Sequence, residues 1–314
     1  MSFIERKIDI RMVLDGDTFD GSNNTVLLKG LRCQATILSY QGGQTPAGSQ
    51  LQMRLHGMRG EDMAKLSTLG FSAGTYVKNY IEVSAGDDAS GMSEVFSGNI
   101  ASCLVDYNAM PDVGVDLLAF DGYTQQFAPV AGISYRGAMD VATMIQSICA
   151  QAGLKFINNG VTTKLSNHAA GGTAISQIQD ICFAAGIAWS LQNGTLSIWP
   201  KLGNKDDTII AIDANSGLVG YPMYSAQGVD VVSLFNPAIQ VGRRMKVTSS
   251  TPNLNPQATL RFIGQKPNME KPSGDGTYHI FSVTHDLSSQ TPNGPWFTRC
   301  KLGTLKNVTR VGPH

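Results

Sequence analysis

Charge is scarce in this chain. Asp, Glu, Lys and Arg make up 15% of its 314 residues, against roughly 25% in a typical soluble domain. Lys plus Arg and Asp plus Glu are equal at 24 each, so the formal net charge is zero. That balance excludes a whole-chain basic field for holding nucleic acid. A charge-poor surface suits either a protein largely buried in an assembly or an ordinary low-charge β protein. Cysteine is sparse as well: Cys33, Cys103, Cys149, Cys182 and Cys300. Their odd number and wide spacing exclude a Cys-x-x-Cys metal site. Reduced thiols in a cytoplasm are expected. No stretch is long and apolar enough to span a bilayer, and the first seven residues lack the apolar core of a signal peptide. The expectation is a chain with no membrane anchor.

Motifs that carry chemistry are missing too. There is no Gly-x-x-x-x-Gly-Lys-Ser/Thr phosphate loop and no Gly-x-Ser-x-Gly elbow. Asp15, Asp17 and Asp20-Gly21 imitate a calcium loop, but its fifth and sixth positions hold Phe19 and Asp20. An oxygen ligand and a glycine are needed there, so the segment reads as a solvated turn. Asp87-Asp88 reads as a polar β-turn. His279 and His285 are expected on one strand face, about 20 Å apart and too distant to share a metal. His56 and His168 have no His or carboxylate at ligand spacing. Carboxylate pairs for sugar chemistry meet only in space, and no Glu stands in an aromatic-rich loop. The residues therefore nominate no catalytic, cofactor-binding or metal-ligating set, and no cofactor. Trp189 and Trp199 read as packing residues, with carbohydrate stacking as the sharper option, and Trp296 as a brace for the Asn293-Gly294 turn.

What the chain does have is an echo of itself. Ile145-Gln146-Ser147-Ile148-Cys149-Ala150-Gln151-Ala152-Gly153-Leu154 returns as Ile178-Gln179-Asp180-Ile181-Cys182-Phe183-Ala184-Ala185-Gly186-Ile187. Each copy reads as a helix with an apolar stripe and a glycine stop. Asn159-Gly160 and Asn193-Gly194 follow, each the signal for a two-residue hairpin turn. Residues 154–157 with 161–165, and 187–191 with 195–199, are the expected hairpins. Cys149 and Cys182 fall at matching core positions.

Period-two alternation marks strands on both sides of this unit. Before it lie 31–37, 51–55, 81–85 and 113–119, interrupted by a short helix near 61–68. After it lie 208–212, 229–235, 238–247, 258–263, 278–287 and 296–302. Residues 128–132 read as a linker and 265–276 as an exposed loop. The expected fold is α+β, mainly β. It has β-barrel domains at 1–127 and 201–314 flanking an α+β module at 128–200, with its repeated helix and hairpin.

These segments together resemble a family. They include the runs Leu28-Lys29-Gly30-Leu31-Arg32-Cys33-Gln34-Ala35, Leu51-Gln52-Met53-Arg54-Leu55-His56-Gly57-Met58 and Asp106-Tyr107-Asn108-Ala109-Met110-Pro111-Asp112-Val113. Further along come Asn193-Gly194-Thr195-Leu196-Ser197-Ile198-Trp199-Pro200, Leu234-Phe235-Asn236-Pro237 and Pro292-Asn293-Gly294-Pro295-Trp296. The chain resembles baseplate hub proteins of contractile-tailed bacteriophages. The resemblance implies a structural homotrimer rather than an enzyme. Two tail-tube-like barrels per subunit would form a pseudo-six-fold ring around the DNA channel. Implied partners are the tail tube protein, the central spike protein, other baseplate (wedge) proteins and the tape measure protein. DNA would pass without specific binding. The implied location is the virion baseplate, assembled in the host cytoplasm. A tail-associated peptidoglycan hydrolase and a glycan-binding tail module are the alternatives. Residues 41–50 are the expected ring-to-ring contact loop.

Overall fold

The computed structural model describes residues 5–42, 48–67, 78–108, 110–225, 228–249, 253–254 and 276–303. The chain is mainly β with a few helices. The first region contains β1 (Arg6–Val13), β2 (Thr25–Leu28), β3 (Arg32–Tyr40), β4 (Gln50–His56) and α1 (Gly60–Leu66). It continues with β5 (Tyr80–Asp87), β6 (Gly91–Asp106), β7 (Gly114–Phe120) and α2 (Tyr123–Phe127). In β4, Leu51, Met53 and Leu55 are buried while Gln52 is exposed and Arg54 half-buried, as the alternation requires. The expectation missed β1, although Ile8, Ile10 and Met12 alternate with Lys7, Asp9 and Arg11 and are all buried. It also missed β6, whose pattern is broken by small polar residues and by a register shift between Ile100 and Ser102.

The middle module runs β8 (Ile133–Ser134), β9 (Ala138–Asp140), α3 (Val141–Ala152), β10 (Lys155–Asn158) and β11 (Lys164–Ser166). Then come β12 (Ala169–Ala170), α4 (Ala174–Ala185), β13 (Ile187–Gln192) and β14 (Thr195–Pro200). Both helices end on a left-handed glycine, Gly153 at φ 70° and Gly186 at φ 61°, the conformation that glycine adopts without steric cost. The helices pack on each other, with Ile145, Ile148, Ile178 and Ile181 fully buried.

The repeat stops there. The second hairpin forms as expected: β13 and β14 pair antiparallel, with Gln192 opposite Thr195. Asn193 and Gly194 both have positive φ, which a type I′ turn needs. The first expected hairpin does not form. β10 instead pairs parallel with β14, and β11 pairs with β9. The reason is local. The Asn158 side chain accepts from Val161 N at 2.8 Å and donates to Val161 O at 3.0 Å. That closes the loop without a type I′ turn, and buries Val161 in the helical core.

The last region has β15 (Ile209–Ile212), β16 (Met223–Ser225), β17 (Gly228–Leu234), β18 (Arg244–Val247) and β19 (Asn253–Leu254). It ends with β20 (Gly276–Ser289) and β21 (Trp296–Gly303). Only 244–247 of the expected strand 238–247 is extended, because Ile239 and Val241 are buried from turns instead. The expected strand 258–263, most of the loop 265–276 and the middle of the loop 41–50 lie outside the described residues.

Among the described residues the flanking regions do not close into barrels. They join as a 14-stranded sheet in the order β19-β16-β17-β21-β20-β3-β4-β7-β6-β5-β1-β2, with β15 and β18 off this path. The seam is the antiparallel ladder of β20 on β3, which sets Ser282 against Tyr40 and Ser289 against Cys33. One core lies under the first region, a second inside the middle module and a third under the last region. The β20–β21 hairpin enters two of them. Ile280, Val283 and Cys300 belong to the third core, while Leu287 and Trp296 belong to the first. A register shift between Ile280 and Ser282 reverses the alternation within β20. Ile280 and Val283 therefore face the same core, and His279 and His285 lie on opposite faces rather than one.

Candidate functional site

One face of the long sheet is sealed by the cores, and the other carries polar and charged side chains interspersed with Leu38, Leu104 and Leu118. Across that open face β3, β4 and β7 set Gln34 beside Arg54 and Arg54 beside Asp116, while Thr36 lies between Gln52 and Asp286. The carboxylates here have arginine partners. Arg54 Nη2 donates to Asp106 at 2.7 Å and Nη1 to Asp116 at 2.9 Å. Arg32 pairs with Asp112, and Arg299 Nε donates to Asp286 at 2.8 Å. The Arg54 and Arg32 hydrogen bonds hold Asp106 and Asp112 below the usual carboxylate range. Exposed pairs of this kind add little stability. Their effect is electrostatic: a broad surface with no field of one sign. His56, which has no carboxylate at ligand spacing in the sequence, has Nδ1 at 3.6 Å from Asp112. Strand alternation gave the outward direction of these side chains, but only sheet order brings Asp106, Asp112 and Asp116 to arginines more than fifty residues away.

Among the described residues the sheet ends at β2 on one side and at β19–β16 on the other. Leu27 on β2 and Tyr221 and Leu234 near the far end are more than half exposed. Unpaired strand edges flanked by apolar side chains are pairing surfaces unless something covers them.

A second feature is the seat of the β13–β14 hairpin between the two flanking regions. Gly42 N donates to Trp189 O at 2.7 Å, and a β-carbon at Gly42 would lie 2.1 Å from the indole. On the other side a β-carbon at Gly242 would meet the Trp199 ring at 2.8 Å. Both tryptophans are buried, as the packing expectation required, and Trp296 is buried against Phe235. At the tip, Ser97 N donates to Asn193 Oδ1 at 3.2 Å, and Lys205 Nζ donates to Gln192 Oε1 at 3.2 Å. Gly194 N reaches both carboxylate oxygens of Asp121 at 3.2 Å. A cavity of about 40 Å³ beside the tip is lined by Ser39, Ser49, Glu94, Gln192, Asn193 and His285, among others. His285 donates to or accepts from Thr298 Oγ1 at 2.9 Å, and burial pushes its pKa down to about 4. Among the described residues no group of three or more His, Cys, Asp and Glu is placed to hold a metal ion. The five cysteines are buried thiols, and burial pushes Cys149 up to about 12. No described helix is long and apolar enough to cross a membrane.

The family model for "Baseplate hub gp41" matches residues 64–268, which is more than half of the chain. The chain belongs to this baseplate hub family. It is accordingly a structural component of a phage tail, and the expectation from the sequence resemblance holds at that level. No curated protein matches it. The fold of this hub-family chain is similar to the 43 kDa tail protein of prophage MuSo2 from Shewanella oneidensis. That pair has a TM-score of 0.58 at 8% identity, covering 96% of this chain and 98% of the other. It is also similar to a tail protein from Neisseria meningitidis MC58, with TM-score 0.53, 10% identity and coverage of 94% and 96%. A third similar fold is the E. coli c3393 protein, a component of the type VI secretion system with structural similarity to bacteriophage tail proteins. It has TM-score 0.53, 8% identity and coverage of 93% and 76%.

Proposed function

We propose that this chain is the trimeric hub of a contractile tail, joining the hexameric tail tube to the trimeric spike around the DNA channel. Each subunit contributes two tail-tube-like β regions, so three copies present six quasi-equivalent units. The observation that carries this reading is the single sheet that runs unbroken through both flanking regions. Its cores lie on one side. Its other side is largely polar, with arginines and carboxylates paired off at Arg54, Arg32 and Arg299. A wall of this kind suits a conduit through which a polyanion slides without being gripped, since unpaired basic side chains are what hold phosphates. The ends of the sheet, open among the described residues, support assembly, because heterologous contacts repeated by rotation would cover them in a closed ring. The middle module then faces the spike, other baseplate proteins or the tape measure protein.

Light scattering combined with sedimentation tests the reading. A mass of three chains, alone or with the spike protein, is the expected result, together with capture of the tail tube protein. A chain that stays monomeric with the spike present and captures no tube protein would overturn it.

A further inference from the structure

Among the described residues the middle module shares no hydrophobic core with either flanking region. Its hairpin turns Trp189, Leu191, Leu196 and Ile198 inward to its own helices. The opposite face carries Ala188, Ser190, Ser197 and Trp199, all buried and belonging to none of the three cores. Ser190 and Ser197 are cross-strand partners, and their hydroxyls are buried with no hydrogen bond among the described residues. Apart from Trp199 this face is small and polar, and such a face holds less firmly than a wholly apolar one of the same area.

Asp121 stands at the tip of this seat, one residue past β7. It is 3% exposed. Its carboxylate receives backbone N–H groups of Gly194, Asn193 and Gly122, so the hairpin and the first region are tied through one side chain. Its own N–H donates to Ser49 O at 2.9 Å, which fixes its backbone. The ionisable groups around it are Glu94 on β6 and Tyr80 on β5, with Lys205 held on Gln192 and His285 across the neighbouring cavity. Glu94 repels its charge. A buried carboxylate offset only by backbone N–H groups is costly to ionise.

We propose that Asp121 is a proton-operated latch: neutral, it holds the β13–β14 tip on the first β region, and ionised, it loosens the tip so that the middle module can move. Burial raises its pKa to about 7, outweighing the N–H bonds that lower it, and Glu94 raises it further. A raised pKa means that the docked state binds the proton more tightly than the open state. The contribution of Asp121 to docking is therefore complete below its ordinary value of 3.8 and is lost as pH rises toward about 7. Within that window the opening equilibrium grows by a factor approaching about ten per pH unit.

Hydrogen exchange of the whole chain, corrected for intrinsic rates, reads the latch directly. Between about pH 5 and pH 8, protection of the Asn193 and Gly194 amides should fall roughly tenfold or more. Amides of Ala35 and Met53, deep in the first core, should keep theirs. In Asp121→Asn the tip should keep equal protection at both pH values. Glu94→Gln, an exposed site that leaves Asp121 in place, should shift the midpoint to lower pH. Constant tip protection in the native chain, or an unchanged fall in Asp121→Asn, would overturn the proposal. Should Asp121→Asn not fold, an unmoved midpoint in Glu94→Gln overturns it alone.

Discussion

Two hairpins cross between regions of this molecule, and they do so by different physics. The β20–β21 hairpin is part of both flanking cores. It gives Ile280, Val283 and Cys300 to one and Leu287 and Trp296 to the other, and its backbone completes the ladder with β3. The β13–β14 hairpin keeps its apolar face for its own module. It meets the rest of the chain through glycine gaps, serines and a buried acid. The first is a permanent weld, because separating it would expose apolar surface and break a ladder at once. The second is a wedge: it seats Trp189 and Trp199 against Gly42 and Gly242, and the rest of what it would expose is mostly small and polar. The contrast shows how one chain can make a stiff wall and still carry a module whose docking is adjustable.

Substitutions in the apolar positions of the weld should have the largest effect. Leu287→Ala should lower the global unfolding free energy by about 2–5 kcal/mol in a urea titration. Ser190→Ala in the wedge should change it by less than about 1 kcal/mol, since the lost hydroxyl was buried without a partner. Equal costs would erase the distinction. Next comes the pH dependence of the weld. His285 has its pKa depressed to about 4 by burial, below its ordinary 6.5. Stability from its neutral form is present above 6.5 and is lost as pH falls toward about 4, by roughly 3 kcal/mol in all. Denaturation curves at mildly acidic and neutral pH should show that loss in the native chain and a flatter profile in His285→Gln. The sign is opposite to that of Asp121, so the two hairpins are separable by pH alone.

A smaller effect is expected where the wedge is seated. Gly42→Ala puts a methyl group into the Trp189 ring, and overpacking of this kind costs about 1–3 kcal/mol. Tryptophan fluorescence should shift to the red while the β3–β4 amides stay protected from exchange. Loss of protection in both places would mean that the wedge is welded after all. The smallest effect separates the two helices behind it. Thr173 caps α4 by accepting from Ser176 N at 3.2 Å, whereas Asp140 makes no side-chain cap on α3. Thr173→Ala should cost about 1 kcal/mol and Asp140→Ala only a few tenths, measured by thermal melts.

The helices of the repeat and their stops were legible in the residues, because each depends on a stripe of apolar side chains and one glycine a few positions away. So was the turn at Asn193-Gly194. The same dipeptide at Asn159-Gly160 misled, since Asn158 could close that loop with its own side chain and leave β10 to seek β14. The paired charges of the open face were half legible. Alternation placed Arg54 outward, but nothing local names Asp106 and Asp116 as its partners. Asp121 had no signal at all. Its neighbours Phe120 and Gly122 describe a strand end, and its burial comes from a turn seventy residues later.

The sequence alone determined the mainly β character, the duplicated helix and the family to which the chain belongs. These follow from short-range sterics and from patterns written in consecutive residues. Tertiary structure alone decided that the flanking regions share one sheet, that β20 crosses two cores, and that an acid is shut between a strand end and a hairpin tip. Thr36 and Asp286 meet across 250 residues of chain. Such a pairing is chosen by which surfaces can be buried together, and that is a property of the whole fold rather than of any segment.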